Sequence, residues 1–197
     1  MKGLVTFIVT VGVFWLPVIA VCQEAAFSDR DRDLGMWVAV ATGEENTNSF
    51  AEAQILGAGP FVGRIIRRRA GQGWLGGNLE YAFSVSPLFI QTRPQTLYGI
   101  SFEPIILRWN SVHNLGRMTP YVELAGGGIG SNVNLPAGNT SDFNFTVSGG
   151  AGFYLSSRST QAWDLGACWA HISNANLGIQ NPEFNGIQLR LAYHWFR

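Results

Sequence analysis

The stretch Trp169-Ala170-His171-Ile172-Ser173-Asn174 sets an imidazole two residues before a hydroxyl. A serine hydroxyl becomes a nucleophile when a base within hydrogen-bond reach takes its proton, and that base needs a third group to orient it. Alternate residues of a β-strand share a face, so His171 and Ser173 would stand side by side on one. Trp163, Leu165, Ala167 and Trp169 have the same parity. The pair would therefore continue an otherwise apolar face, an odd place for the chemistry of a water-soluble hydrolase. The elements that carry it have to account for the setting.

The compartment is read from the N-terminus. Lys2 precedes an uncharged apolar run from Gly3 to Ala20, and Val18-Ile19-Ala20 offers a small-residue exit. This is the pattern of a secretory signal peptide over residues 1–20, with cleavage as late as residue 25. Residues 26–197 then form one domain of about 170 residues. Cys22 and Cys168 are the only cysteines, so no structural disulfide is expected. The net charge of zero gives no reason to expect a nucleic-acid partner. Charged residues make up 13% of the chain, about half the usual share, alongside 24 glycines and 13% aromatics.

From Leu34 onward the hydropathy pattern has period two. Leu34, Met36, Val38 and Val40 alternate with Gly35, Trp37, Ala39 and Ala41. Leu75, Leu79, Tyr81, Phe83 and Val85 oppose Asn78, Glu80, Ala82 and Ser84, and Tyr98, Ile100, Phe102 and Ile106 oppose Gly99, Ser101 and Glu103. Phe143, Phe145 and Val147 oppose Asn144, Thr146 and Ser148; Ile187, Leu189, Leu191, Tyr193 and Trp195 oppose Gln188, Arg190, Ala192 and His194. Two further strands are less regular: residues 51–66, with Pro60, and 121–130, with Gly126-Gly127-Gly128. A bulge or register change is expected in each. With the strand of residues 162–173 the count is eight.

A soluble barrel would bury the apolar face, and a membrane barrel turns it to lipid. The polar faces here are mostly Gly, Ala, Ser, Thr and Asn, which fit inside a narrow eight-stranded tube. Glu80, Glu103, Arg108 and Arg190 supply both signs of charge and can pair inside, and Lys2 is the only lysine in the chain. The fold class expected is all-β, an eight-stranded antiparallel transmembrane β-barrel in the outer membrane of a Gram-negative-type bacterium. With both termini in the periplasm, the seventh strand rises and brings His171 and Ser173 to the outer leaflet. Glu183 and Asn185 share the outward parity of Ile187, so they too would lie beside the pair.

His171-Ile172-Ser173-Asn174, followed by Asn181-Pro182 and Asn185, resembles the lipid A 3-O-deacylase family of outer-membrane acyl hydrolases. The resemblance implies a cofactor-free esterase acting on an ester-linked (3-O) acyl chain of lipid A, with His171 as general base and Ser173 as nucleophile. It further implies that Asn174 helps hold the oxyanion, with main-chain N–H groups just downstream, and that Asn181 organises the loop. The family has a glutamate fourteen residues after the histidine, where this chain has Asn185. Either Asn185 orients the imidazole as a neutral acceptor, or Glu183 takes that role.

The remaining motifs carry less. His113 in a turn and an inward His194 read as structural, and with no Cys-x-x-Cys no metal site is expected. The glycine run 126–128 lacks the lysine and helix of a phosphate loop. Arg67-Arg68-Arg69 reads as a solvated run at a periplasmic turn. Two rival functions stand beside the esterase: a non-enzymatic barrel acting as scaffold or adhesin, and an acyltransferase. The partners expected are lipid A and the outer membrane. The oligomeric state stays open, a homodimer included.

Overall fold

A computed structural model describes residues 30–43, 53–92 and 95–197. The expected signal peptide lies outside the described residues. Eight antiparallel strands follow one another in chain order: β1 (Arg32–Gly43), β2 (Gln54–Ala70), β3 (Gly77–Gln91), β4 (Thr96–Ser111), β5 (Met118–Leu135), β6 (Ser141–Arg158), β7 (Gln161–Ser173) and β8 (Phe184–Phe196). Each pairs with its sequence neighbours, and β8 closes on β1. Closure leaves no edge strand, so every strand's main-chain groups find partners within the wall. The chain is the eight-stranded transmembrane barrel its alternation predicts.

Period-two burial runs around the wall. Met36, Val38 and Val40 point outward and are 53%, 42% and 52% exposed, while Gly35, Ala39 and Ala41 between them are buried. The same holds for the outward Phe83, Val85 and Phe89 of β3 and the outward Ile187, Leu189 and Leu191 of β8. Such a continuous apolar exterior would be an aggregation surface in water, whereas lipid is its natural solvent. Trp163, Tyr193 and Trp195 pack ring against ring at 4.8 and 4.9 Å near the strand ends that carry the termini, as an interfacial aromatic belt does.

Inside, the two ends differ. Toward the end away from the termini, Ile55, Ile90, Leu97, Ile172 and Phe184 form an apolar plug. The other half is polar: Arg108 ion-pairs with Glu123 and approaches Asp164 at 3.4 Å, and Arg190 meets Glu123 at 2.9 Å. Glu103 lies on the inward side as expected.

Three local expectations are corrected. Ile106 faces the interior, because one extra residue of β4 between Phe102 and Ile105 shifts the register against β5 and flips the parity beyond it. Pro104, which cannot donate to the ladder, sits within that bulge. Pro60 causes no shift: its outward position keeps the β1 register intact, and its carbonyl accepts the Ser84 hydroxyl at 2.7 Å. The β2 irregularity instead falls at Ile65–Ala70, which draws the arginine run into the strand end. Leu75 closes a short 3-10 turn (Gly73–Leu75) rather than opening β3.

Connections on the termini side are short, down to two residues between β6 and β7, whereas ten residues join β7 to β8 at the other end. Short periplasmic turns and longer outer loops are the habit of outer-membrane barrels. The end of β7 that carries His171 and Ser173 lies at the end of the barrel opposite the termini.

Candidate active site

The β7–β8 register decides the site. His171 lies directly opposite Asn185, and Trp169 opposite Ile187. On the other flank Val147 is opposite His171 and Phe145 opposite Ser173. All these side chains point outward. His171 Nε2 lies 3.0 Å from Ser173 Oγ, and its Nδ1 lies 2.8 Å from Asn185 Oδ1. An amide oxygen only accepts, so Nδ1 carries the ring proton and Nε2 offers its lone pair to the serine O–H. Asn185 Nδ2 in turn donates to Glu183 Oε2 at 3.3 Å, and a carboxylate could not accept from the oxygen end. The flip of the Asn185 amide and the tautomer of His171 are thereby set together. Trp169 stacks on the imidazole, with centroids 5.9 Å apart and planes 18° from parallel. The four polar residues are half-buried.

Glu183 and Asn185 are thus hydrogen-bonded in series behind His171. Both flank Phe184, which points inward into the apolar plug and anchors this part of β8.

The turn after Ser173 is held from beneath. Asn174 has inward parity and is fully buried. Its N–H donates to Asn181 Oδ1 and its side-chain amide to the Gln180 carbonyl, both at 2.8 Å. Asn181 thus ties the end of the β7–β8 loop back to its start. Asn174, expected at the oxyanion, has its carboxamide turned under the loop, because the residue after an outward serine points inward. Ala175 and Asn176 adopt left-handed conformations, with φ of 51° and 64°. Asn tolerates this region, whereas for Ala it costs about 1 kcal/mol. The Gln180 N–H donates to the Asn139 carbonyl of the β5–β6 loop at 2.9 Å. A Cβ at Gly178 would lie 2.7 Å from the Thr140 main chain, so glycine permits the close approach of the two loops.

Two apolar grooves flank the site on the outer wall. One, of about 470 Å³, runs between Ile100, Phe102, Phe143 and Phe145 over Gly128 and Gly130. The other, of about 440 Å³, lies between Val40, Leu56, Phe89, Ile187 and Leu189. Phe145 lies opposite Ser173, and Ile187 lies two residues from Asn185 on the same face, so each groove has one lining residue beside the site.

Sequence reasoning missed Trp169 as the ring supporting the imidazole, although its parity and spacing were legible. Gln180 and Asn139 were not legible, because they act through main-chain carbonyls. The other two histidines are elsewhere: His113 Nε2 is 2.8 Å from the Gly73 carbonyl in a termini-side turn, and His194 is sealed inside against Asp33.

A family model described as lipid A 3-O-deacylase (PagL) matches residues 68–194, which include all of β3 to β7 and the whole site. Among solved structures, the outer membrane enzyme PagL superposes with a TM-score of 0.58 at 16% identity, covering 80% of this chain and 97% of that one. Neisserial surface protein A gives 0.54 at 14% identity, with 83% and 94% covered. OprG from Pseudomonas aeruginosa gives 0.50 at 9%, with 89% and 97% covered. At such identities the likeness to these structures bears on the fold. No curated protein matches the sequence.

Proposed function

The chain belongs to the lipid A 3-O-deacylase family, and on that premise we propose that it hydrolyses an ester-linked (3-O) acyl chain of lipid A in the outer membrane by a Ser173–His171 mechanism. It is an enzyme of the ester-hydrolase class. The observation that carries the mechanism is the unbroken line Ser173–His171–Asn185, with links of 3.0 and 2.8 Å, on the lipid-facing wall.

Ser173 Oγ attacks the ester carbonyl carbon while His171 Nε2 takes its proton. The resulting imidazolium hands that proton to the departing sugar oxygen. Water, activated by the same nitrogen, then releases the fatty acid from the acyl-serine. Asn185 Oδ1 holds the Nδ1–H throughout, so Nε2 keeps facing the serine. Its neutrality gives the imidazolium less stabilisation than a carboxylate would, and Glu183 partly offsets this by polarising the Asn185 amide. The oxyanion falls to the turn that follows Ser173, where the N–H groups of Ala175 and Asn176 are the donors. Asn174 serves it by fixing that turn. Donors aimed at developing charge are worth about 3–4 kcal/mol in such reactions.

An exterior site suits this substrate. Lipid A lies in the outer leaflet with its ester linkages near the headgroup level, so it reaches the hydroxyl by lateral diffusion. The two flanking grooves give its acyl chains an apolar seat.

Mass spectrometry of lipid A from cells expressing the chain tests the proposal. Loss of one hydroxyacyl chain with release of free fatty acid supports it. An unchanged lipid A overturns it, and a newly acylated acceptor would assign a transferase instead.

A further inference from the structure

The barrel's charges are sorted by height. Of twelve arginines, Arg108 and Arg190 lie inside and Arg93 falls outside the described residues; the other nine sit on the termini-side half of the molecule. Among the described residues the one exposed side-chain carboxylate at that end is Asp31, which pairs with Arg68 at 2.8 Å. Asp33 points inward and is bound to His194.

Three of these arginines form a row. Arg32 and Arg64 are directly opposite across β1 and β2. Arg32 and Arg197 exchange both main-chain hydrogen bonds, at 2.9 Å each, across β1 and the end of β8. All three are exposed and have outward parity. Adjacent strands lie about 4.8 Å apart, so three like charges stand within roughly 10 Å of one another. Like charges directly opposite destabilise a sheet. No ion pair to a side-chain carboxylate relieves this row among the described residues.

The next outward row toward the membrane centre is Trp195, Leu34 and Val62, in the same register. Two residues along a strand span about 7 Å. The guanidinium groups thus lie one step below the apolar band, beside the aromatic belt, at the depth of lipid headgroups.

We propose that Arg32, Arg64 and Arg197 bind the phosphate of an anionic phospholipid in the leaflet that surrounds the termini-side rim. A guanidinium fork matches two phosphate oxygens, and one phosphate shared by neighbouring arginines converts their repulsion into attraction. A zwitterionic headgroup would bring its ammonium into the same positive field, so a lipid of net negative charge is selected. The lipid's acyl tails lie along Trp195, Leu34 and Val62. Nothing in this site involves His171 or Ser173, and its test is independent of the deacylation reading.

The experiment reconstitutes the full chain in phosphatidylcholine bilayers with increasing brominated phosphatidylglycerol and follows quenching of tryptophan fluorescence, to which Trp195 beside the row contributes. Wild type is expected to prefer the glycerol lipid over brominated phosphatidylcholine. Arg32→Gln/Arg64→Gln should weaken that preference roughly tenfold, and Arg64→Lys should keep most of it. Heat-modifiable migration establishes that each variant is folded; should the double variant not fold, Arg64→Gln alone is read for a roughly threefold loss. No preference in wild type overturns the proposal, as does a preference retained in the Gln variants. Abolition by millimolar inorganic phosphate would assign the site to free phosphate and overturn the lipid.

Discussion

Two of the molecule's three histidines are held by side-chain partners, and they differ in every respect that matters to catalysis. His194, inside the barrel, has Asp33 at 2.8 Å on Nδ1 and Asp164 at 3.3 Å on Nε2. Phe61 and Tyr154 pack their rings against its own. By the criterion of a carboxylate orienter it is the better placed imidazole. Yet among the described residues no hydroxyl hydrogen-bonds to it, its second nitrogen faces the Asp164 carboxylate, and it is completely buried. His171, outside, has a neutral amide in place of the carboxylate, a serine on its free nitrogen and lipid in front of it. A carboxylate partner makes an imidazole more basic; access and a nucleophile give it a reaction. The interior charges of this barrel pair with one another, and the proposed chemistry sits on the wall.

The largest test of that contrast is Ser173→Ala or His171→Ala. Each should lower deacylation by about a thousandfold or more, read by lipid A mass spectrometry, with heat-modifiable folding retained. Arg108→Ala should do the opposite. It removes one of the two guanidinium groups that Glu123 and Asp164 share, leaving only Arg190, and removal of one member of a buried pair costs about 3–5 kcal/mol. Denaturant unfolding should show that loss, while activity per folded molecule stays unchanged. Asn185→Glu brings the outer histidine closer to the inner one's pairing, and kcat should rise about tenfold as the imidazolium gains a charged partner. A fall in kcat would mean that the second carboxylate repels Glu183 and spoils the geometry. The smallest effect is Glu183→Gln: kcat should drop about threefold with KM unchanged, because the substrate touches Asn185's partner only through Asn185. In the Asn185→Glu background the same change should have no such cost.

How much of this was legible beforehand follows from what a period of two can carry. The strands β1, β6, β7 and β8 were readable, because outward apolar side chains recur at every second position along most of each. Ile106 was misassigned because the β4 bulge adds a residue that hydropathy cannot see: Ile suits either face. Pro60 misled for the converse reason, since an outward proline carbonyl remains a good acceptor and the ladder continues past it. In the site, His171 and Ser173 were set by local spacing alone. The choice between Asn185 and Glu183 was not readable, because both have outward parity and each could in principle reach the ring. Asn174 was read as part of the oxyanion site through resemblance, and its own inward parity argued for the buried post that it occupies.

By itself the sequence determined the inside-out wall, the number of strands, and a hydroxyl beside an imidazole on a greasy face. These follow from alternation and from i, i+2 spacing, which are properties of a single strand. Only the tertiary structure decided what completes the pair. The β7–β8 register puts Asn185 opposite His171, and the amide's two ends then assign Oδ1 to the ring and Nδ2 to Glu183. It also decided that Arg197, Arg32 and Arg64, distant in the chain, stand in one row. Register is fixed by the whole barrel closing on itself, so no segment read alone could have supplied it.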